Sequence, residues 1–171
     1  MIVFGGISMS LVDVGRKAPA LTLKDQNEEK HALKDYLGQP VVLYFYPKDD
    51  TSGCTAQACQ FRDDQPKFKR TKAVVLGVSP DNEATHAKFV AKHDLNFTLL
   101  SDPKDTEGDP KVCVKYGVWQ EKSMYGRKYM GVVRTTYLID ATGKVVRRWD
   151  KVKVPGHAEE VLNAVKDLQK S

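Results

Sequence analysis

VVLYFYPKDDTSGCTAQAC, Val41 to Cys59, is the stretch whose reading decides the fold. Six apolar and aromatic residues run without alternation, which predicts a strand covered on both faces, as inside an α/β sheet. Pro47 ends the run, polar residues follow, and a helical pattern opens around Gly53 and Cys54. The polar loop therefore lies at the carboxyl end of a central strand, where sheets of this kind hold their ligands. Two of the chain's three cysteines stand there, five residues apart.

Outward from this stretch, AVVLGVS (73–79) and FTLLS (97–101) predict further buried strands. KYMGVVRTTYLID and KVVRRW predict a β-hairpin turning at Ala141-Thr142-Gly143. Helical patterns lie between the strands. CTAQACQFRDDQPKFKR follows the first, with Pro66 expected to bend or interrupt it. DNEATHAKFVAKHD predicts a second helix with Asp81 as its N-cap and Ala84, Ala87, Val90 and Ala91 on one face. A short helix is expected within DTEGDPKVCVKYG, ending near Gly117. HAEEVLNAVKDLQK closes the chain with Val161, Leu162, Val165 and Leu168 as its buried stripe. The order β-α-β-α-β-α-ββ-α after an N-terminal segment implies an α/β three-layer α/β/α sandwich with a central mixed sheet.

The chain has 171 residues, enough for one domain that buries about 70% of its unfolded surface. We expect residues 1–11 to be an extension, with Met9 as a candidate natural start, and residues 12–171 to form the single domain. The longest apolar run is far below the roughly 20 residues that span a bilayer, and MIVFGGISMS lacks the basic region and cleavage site of a signal peptide. Three cysteines are too few for a disulfide framework. Cysteine chemistry in such a chain points to a reducing compartment, so a cytoplasmic location without membrane attachment is expected. The net charge of +5 is spread along the sequence. Its most basic segment, KVVRRWDKVK (144–153), reads as charges guarding a strand, and no nucleic-acid-binding spacing accompanies it.

Cys54 should lie in the first helical turn, where unpaired backbone N–H groups and the positive helix end favour thiolate over thiol. Cysteines so placed ionise at roughly pH 3.5–7.5 instead of about 8.5. Gly53 lets the backbone approach a ligand closely. Cys59, on the same helix, would have its Cα roughly 8–9 Å from that of Cys54 and about 140° around the axis. A disulfide tolerates no more than about 7 Å. The two sulfurs bond only if the first one or two turns unwind. Cys59 is then either a small buried hydrophobe or a thiol that waits for such unwinding. The spacing is neither a CxxC dithiol nor good zinc-ligand spacing, and His86 and His93 read as solvated surface residues.

The segment YFYPKDDTSGCTAQACQFRDD closely resembles the active-site segment of peroxiredoxins of the bacterioferritin-comigratory-protein or PrxQ type. The family motif P-x-x-x-T-x-x-C is met by Pro47, Thr51 and Cys54, and a second cysteine five residues on, here Cys59, is common in this group. The likeness continues through KAPALTL, LGQPVVLYFYP, LLSD, YGVW and VVRTTYLID. It implies a thioredoxin-like fold and a peroxidase acting on hydrogen peroxide and organic hydroperoxides without a cofactor or metal. Cys54 is then the peroxidatic cysteine and Cys59 the resolving one. Thr51 would orient the peroxide, Pro47 would shield the pocket, Arg134 would be the active-site arginine, and Gln57 would hold that arginine. Thioredoxin, or alternatively glutaredoxin, is the implied reductant. An intrachain resolving thiol removes the chemical need for a dimer, so a monomer is expected. The chain departs from the pattern in its first ten residues and in the longer link SDPKDTEGDPKVCVKYGV, whose Cys113 is either a packed hydrophobe or an alternative resolving thiol.

Overall fold

The structure, a computed structural model, describes residues 10–104 and 108–170. The expected extension and Met9 therefore lie largely outside the described residues, as does part of the long link before Cys113. In chain order the elements are β1 (Thr22–Asp25), β2 (Lys30–Ala32), a 3-10 turn (Leu33–Tyr36), β3 (Val41–Phe45), α1 (Ser52–Arg70), β4 (Val74–Ser79) and α2 (Glu83–His93). They continue with β5 (Thr98–Ser101), α3 (Lys111–Lys115), β6 (Trp119–Met124), β7 (Arg127–Val132), β8 (Thr135–Ile139), β9 (Val145–Trp149) and α4 (His157–Lys170).

Seven strands form one mixed sheet in the order β2-β1-β5-β4-β3-β8-β9. β3, β4 and β5 are parallel, whereas β8 lies antiparallel to β3, with Phe45 opposite Thr135. Alternate residues of the central strands enter two separate cores. Val42, Tyr44 and Tyr46 face Phe61 and Phe68 of α1, Phe89 of α2 and Val161, Leu162 and Val165 of α4. Val41, Leu43 and Phe45 face Cys113 of α3, Tyr116 and Val132 on the other side. Every residue of β3 is buried. This is the α/β sandwich with a mixed sheet that the runs and their order predict, and it agrees with the thioredoxin-like fold that the resemblance implies.

Several elements differ from expectation. The N-terminal segment contributes a paired hairpin, β1–β2, whose short strands are rich in Lys, Asp and His and carry no β-strand signal. KYMGVVRTTYLID is two strands: β7 pairs with β6 in a separate two-stranded sheet, and the chain leaves it at residues 133–134 before β8 joins the main sheet. Arg134 consequently stands at the mouth of β8 and not inside a strand.

The first helix is unbroken through Pro66. A proline there leaves the carbonyl of Arg62 without its helical N–H, and the Asn96 side-chain amide donates to that carbonyl at 3.2 Å instead. The N-cap of α2 is Asn82, whose Oδ1 accepts from the Thr85 N–H at 2.8 Å; Asp81 is otherwise engaged. Its buried residues are His86 and Phe89, while Ala84, Ala87 and Ala91 are exposed. The ring of Phe89 removes far more apolar area from water than three methyl groups, so it sets the helix orientation.

Neither histidine singled out on α2 is a solvated surface residue. His86 is fully buried, with Nδ1 2.6 Å from a carboxylate oxygen of Asp49 and Nε2 2.9 Å from the Leu100 carbonyl. A carbonyl only accepts, so Nε2 carries a proton and a second proton lies between Nδ1 and Asp49. His93 is partly buried and meets Asp50 at 3.0 Å. Removing one member of a buried pair leaves the other uncompensated, so His86→Leu should cost about 3–5 kcal/mol in denaturant unfolding.

His157, at the start of α4, is held down to about 4, chiefly by burial. Between roughly pH 4 and its unfolded value near 6.5 the unfolded chain binds the extra proton, so stability falls as pH drops through that window. Thermal melts across it should show this loss in the wild type and a flatter profile in His157→Gln.

Candidate active site

β3 hands the chain to the loop 46–51, which is pinned before it reaches the helix. The Tyr46 hydroxyl donates to Asp49 at 2.6 Å, and the Asp49 N–H donates to Asp81 at 2.8 Å. Asp50 adopts a left-handed φ of 61°, a conformation Asp tolerates better than most residues. Its carboxylate meets Lys92 of α2 at 2.7 Å and His93. Those two hydrogen bonds hold the Asp50 carboxyl below the usual range. Two consecutive aspartates thus fasten the loop to α2 before Thr51 begins α1.

Thr51 is the N-cap residue, but its side chain caps nothing: the hydroxyl donates to the Lys48 carbonyl at 3.0 Å. The first helical N–H to find a main-chain acceptor here is that of Thr55, on Thr51. The amides of residues 52–54 therefore form the positive start of α1 without a side-chain cap. Cys54 is in that turn and is 2% exposed.

Arg134 reaches the same point from the other direction. Because Phe45 pairs with Thr135, the residue preceding β8 arrives beside the loop that leaves β3. Arg134 Nη2 donates to Cys54 Sγ at 3.1 Å, and Nη1 donates to Gln57 Oε1 at 2.5 Å. Gln57 is buried one turn beyond Cys54, and its amide nitrogen has no hydrogen-bond partner. A Cβ on Gly53 would stand 3.2 Å from Arg134 Nη2, so the close approach that this glycine permits is that of the guanidinium. Cys54, Gln57, Gly53 and Arg134 form one contact set; Thr51 stands beside it in the chain, at the N-cap of the same helix.

Pro47 lines a groove of about 600 Å³ together with Lys48, Lys122, Tyr129 and Met130 of the β6–β7 region. Cys59 is partly buried on the same unbroken helix as Cys54, and both thiols are free. Cys113 is fully buried in the opposite core, its N–H donating to Asp102 at 2.7 Å, and burial pushes its thiol well up. It is a packed hydrophobe on the far side of the sheet from Cys54.

Two side chains near the thiol carry no motif in the sequence. The Tyr44 hydroxyl is buried without a partner, and its ionisation is opposed first by burial and then by the charge at Cys54. Lys122 extends from β6 toward the groove. Neither is conspicuous in one dimension: Tyr44 is one more aromatic in an apolar strand, and Lys122 is one of many surface-type lysines. Among the described residues two clusters bring metal-ligating atoms together, Asp25–Glu29–His31 and Asp49–Asp81–His86, and Cys54 belongs to neither. In both, the histidine nitrogens are already bonded within the protein. No helix among the described residues is long and apolar enough to cross a membrane.

Residues 14–148 match the AhpC/TSA family. The chain is 45% identical over 157 residues to peroxiredoxin Bcp of Bacillus subtilis, covering 92% of this chain and 97% of that one. It is 43% identical to peroxiredoxin Bcp of Escherichia coli K12, with 93% and 99% covered. Among solved structures, a cysteine-to-serine mutant of Xylella fastidiosa PrxQ superposes with a TM-score of 0.85 at 38% identity, covering 94% of this chain and 99% of that one. The bacterioferritin comigratory protein of Xanthomonas campestris gives a TM-score of 0.82 at 39% identity, with 91% and 98% covered. A thiol at a helix start under an arginine donor, on this sheet and with these relatives, places the chain in the AhpC/TSA family, as a peroxiredoxin of the Bcp/PrxQ type.

Proposed function

We propose that the chain reduces hydrogen peroxide and organic hydroperoxides with Cys54 as the peroxidatic thiolate and Cys59 as the resolving thiol, using thiol chemistry alone. The observation that carries this reading is the 3.1 Å hydrogen bond from Arg134 to the Cys54 sulfur. The solved Xanthomonas relative, a bacterioferritin comigratory protein, is described by its alkyl peroxide reduction activity, which supports the same substrate class here.

The thiolate attacks one peroxide oxygen while negative charge grows on the other. A thiol whose pKa drops from about 8.5 to about 6 gains roughly 30-fold in thiolate at pH 7, near 2 kcal/mol. Enzymes commonly supply at least about 8 kcal/mol. The larger share must come from donors aimed at the developing charge, and Arg134 with the first-turn amides is so placed. Thr51 spends its proton on Lys48, so its oxygen is left to accept the peroxide O–H and fix the angle of attack. Pro47 closes one side.

Attack leaves Cys54 as a neutral sulfenic acid. Arg134 then loses the anion it faces, and the grip on the first turns of α1 weakens. Unwinding brings the two sulfurs together; the S–S bond forms and the oxygen leaves as water. Thioredoxin is the proposed reductant of that disulfide, and a monomer in the cytoplasm suffices for the cycle.

Arg134→Ala should lose far more peroxide rate than the change in its thiol titration accounts for; stopped-flow oxidation and thiolate absorbance on one variant compare the two, and equal losses refute the donor role. In a thioredoxin-coupled assay Cys54→Ser should be inactive, and Cys59→Ser should consume one peroxide equivalent and then stall. Turnover with glutaredoxin but not thioredoxin would reassign the reductant, and sustained turnover of Cys59→Ser would overturn the intrachain disulfide.

A further inference from the structure

Peroxide cleavage needs a proton as well as the electron pair that the thiolate supplies. When the Cys54 sulfur bonds to the terminal oxygen of R–O–O–H, the O–O bond breaks. Sulfur is oxidised by two electrons, and R–O⁻ departs with the bonding pair. An alkoxide or hydroxide is a poor leaving group, so a proton delivered during cleavage lowers the barrier, typically by 10²–10⁴-fold in rate. Arg134 does not release a proton in proteins, and the Thr51 hydroxyl is committed to the Lys48 carbonyl. The groove wall offers another donor.

We propose that Lys122 is a catalytic residue of this site, the general acid that protonates the departing oxygen. This rests on the peroxidase reading above. Three lysines line the groove that Pro47 enters; Lys48 and Lys104 are exposed at its rim, whereas Lys122 is half-buried. The path of its side chain is fixed by the hairpin. A Cβ at Gly131 would stand 3.2 Å from Lys122 Cδ, so the missing side chain at 131 lets the lysine stem lie diagonally across from β6 onto β7. Its Nζ then donates to the Val132 carbonyl at 3.0 Å, two residues before Arg134. One of three ammonium protons is used there, and two are left to donate.

The electrostatics give this acid its timing. Burial and the Arg134 guanidinium make the ammonium more acidic than an ordinary lysine, and the Cys54 thiolate opposes them. Conversion of that thiolate to a neutral sulfenic acid removes the opposing influence. Lys122 therefore becomes a stronger acid during the step in which the leaving oxygen needs its proton, and solvent reprotonates it afterwards.

The test varies the leaving group. Cys54 oxidation is timed by rapid mixing in the wild type, Lys122→Met and Lys122→Arg, with hydrogen peroxide and with peracetic acid, whose acetate departs without a proton. Lys122→Met should slow at least about 10²-fold with hydrogen peroxide and change little with peracetic acid, a result that also shows the site is folded. Lys122→Arg, which keeps charge and bulk but is a far weaker acid, should stay slow with hydrogen peroxide. Equal losses with both oxidants, no loss with either, or full recovery by arginine would overturn the assignment. A wild type whose Cys54 reacts with neither oxidant would overturn the peroxidase reading beneath it as well.

Discussion

The contact between the Arg134 guanidinium and the Cys54 sulfur is the constraint around which the rest of the architecture is arranged. It joins residues 80 positions apart, and each end is placed by a different part of the fold. The sulfur is set by the exit of β3 and the start of α1. The guanidinium is set by an antiparallel register in which Thr135 faces Phe45. A register slip of one residue would turn every side chain of β8 to the opposite face and separate the pair. The buried β3 with its two cores is thus what aims the chemistry.

The loop between strand and helix needs separate restraint, because it has few apolar groups to hold it. Asp49 and Asp50 supply that restraint through α2, one through a buried histidine and the other through an exposed lysine and a partly buried histidine. The buried contact is the stronger constraint, since surface ion pairs contribute only about 0–1 kcal/mol. Both anchors lie on the same side of Cys54 in sequence, before it. The helix beyond Cys54 is held differently, by Gln57 against Arg134 and by Phe61 in an aromatic cluster with Tyr44, Phe68 and Phe97. A change of charge at sulfur touches the first of these restraints and leaves the aromatic one intact.

Much of this was legible in one dimension. The three central strands fall within a residue of their predicted spans, and the buried stripe of α4 is as expected, because continuous apolar runs and 3.6-residue spacing report burial directly. The positions of Thr51, Cys54 and Arg134 were legible as a motif. What escaped was set by pairing at long range. The β1–β2 hairpin has charged strands whose partner is another short strand, and the β6–β7 hairpin hides its first strand in WQEKSM, a sequence of mixed polarity. His86 resembled any helix-surface histidine until Asp49, 37 residues earlier, came to face it. Lys122 carried no signal at all, since its setting depends on a glycine across the hairpin.

Pro66 changes what kind of event the proposed cycle requires. The ring interrupts the hydrogen-bond ladder of α1, and the Asn96 amide splices the break from outside. Melting that began at Ser52 would thus have a fixed post downstream, so in the proposed cycle Cys54 would be the sulfur that travels and Cys59 the one that waits. That journey would part Cys54 from the Arg134 guanidinium. In the proposed cycle the disulfide form would have no place to seat another peroxide, and each passage would close the site until an external reductant rebuilt it.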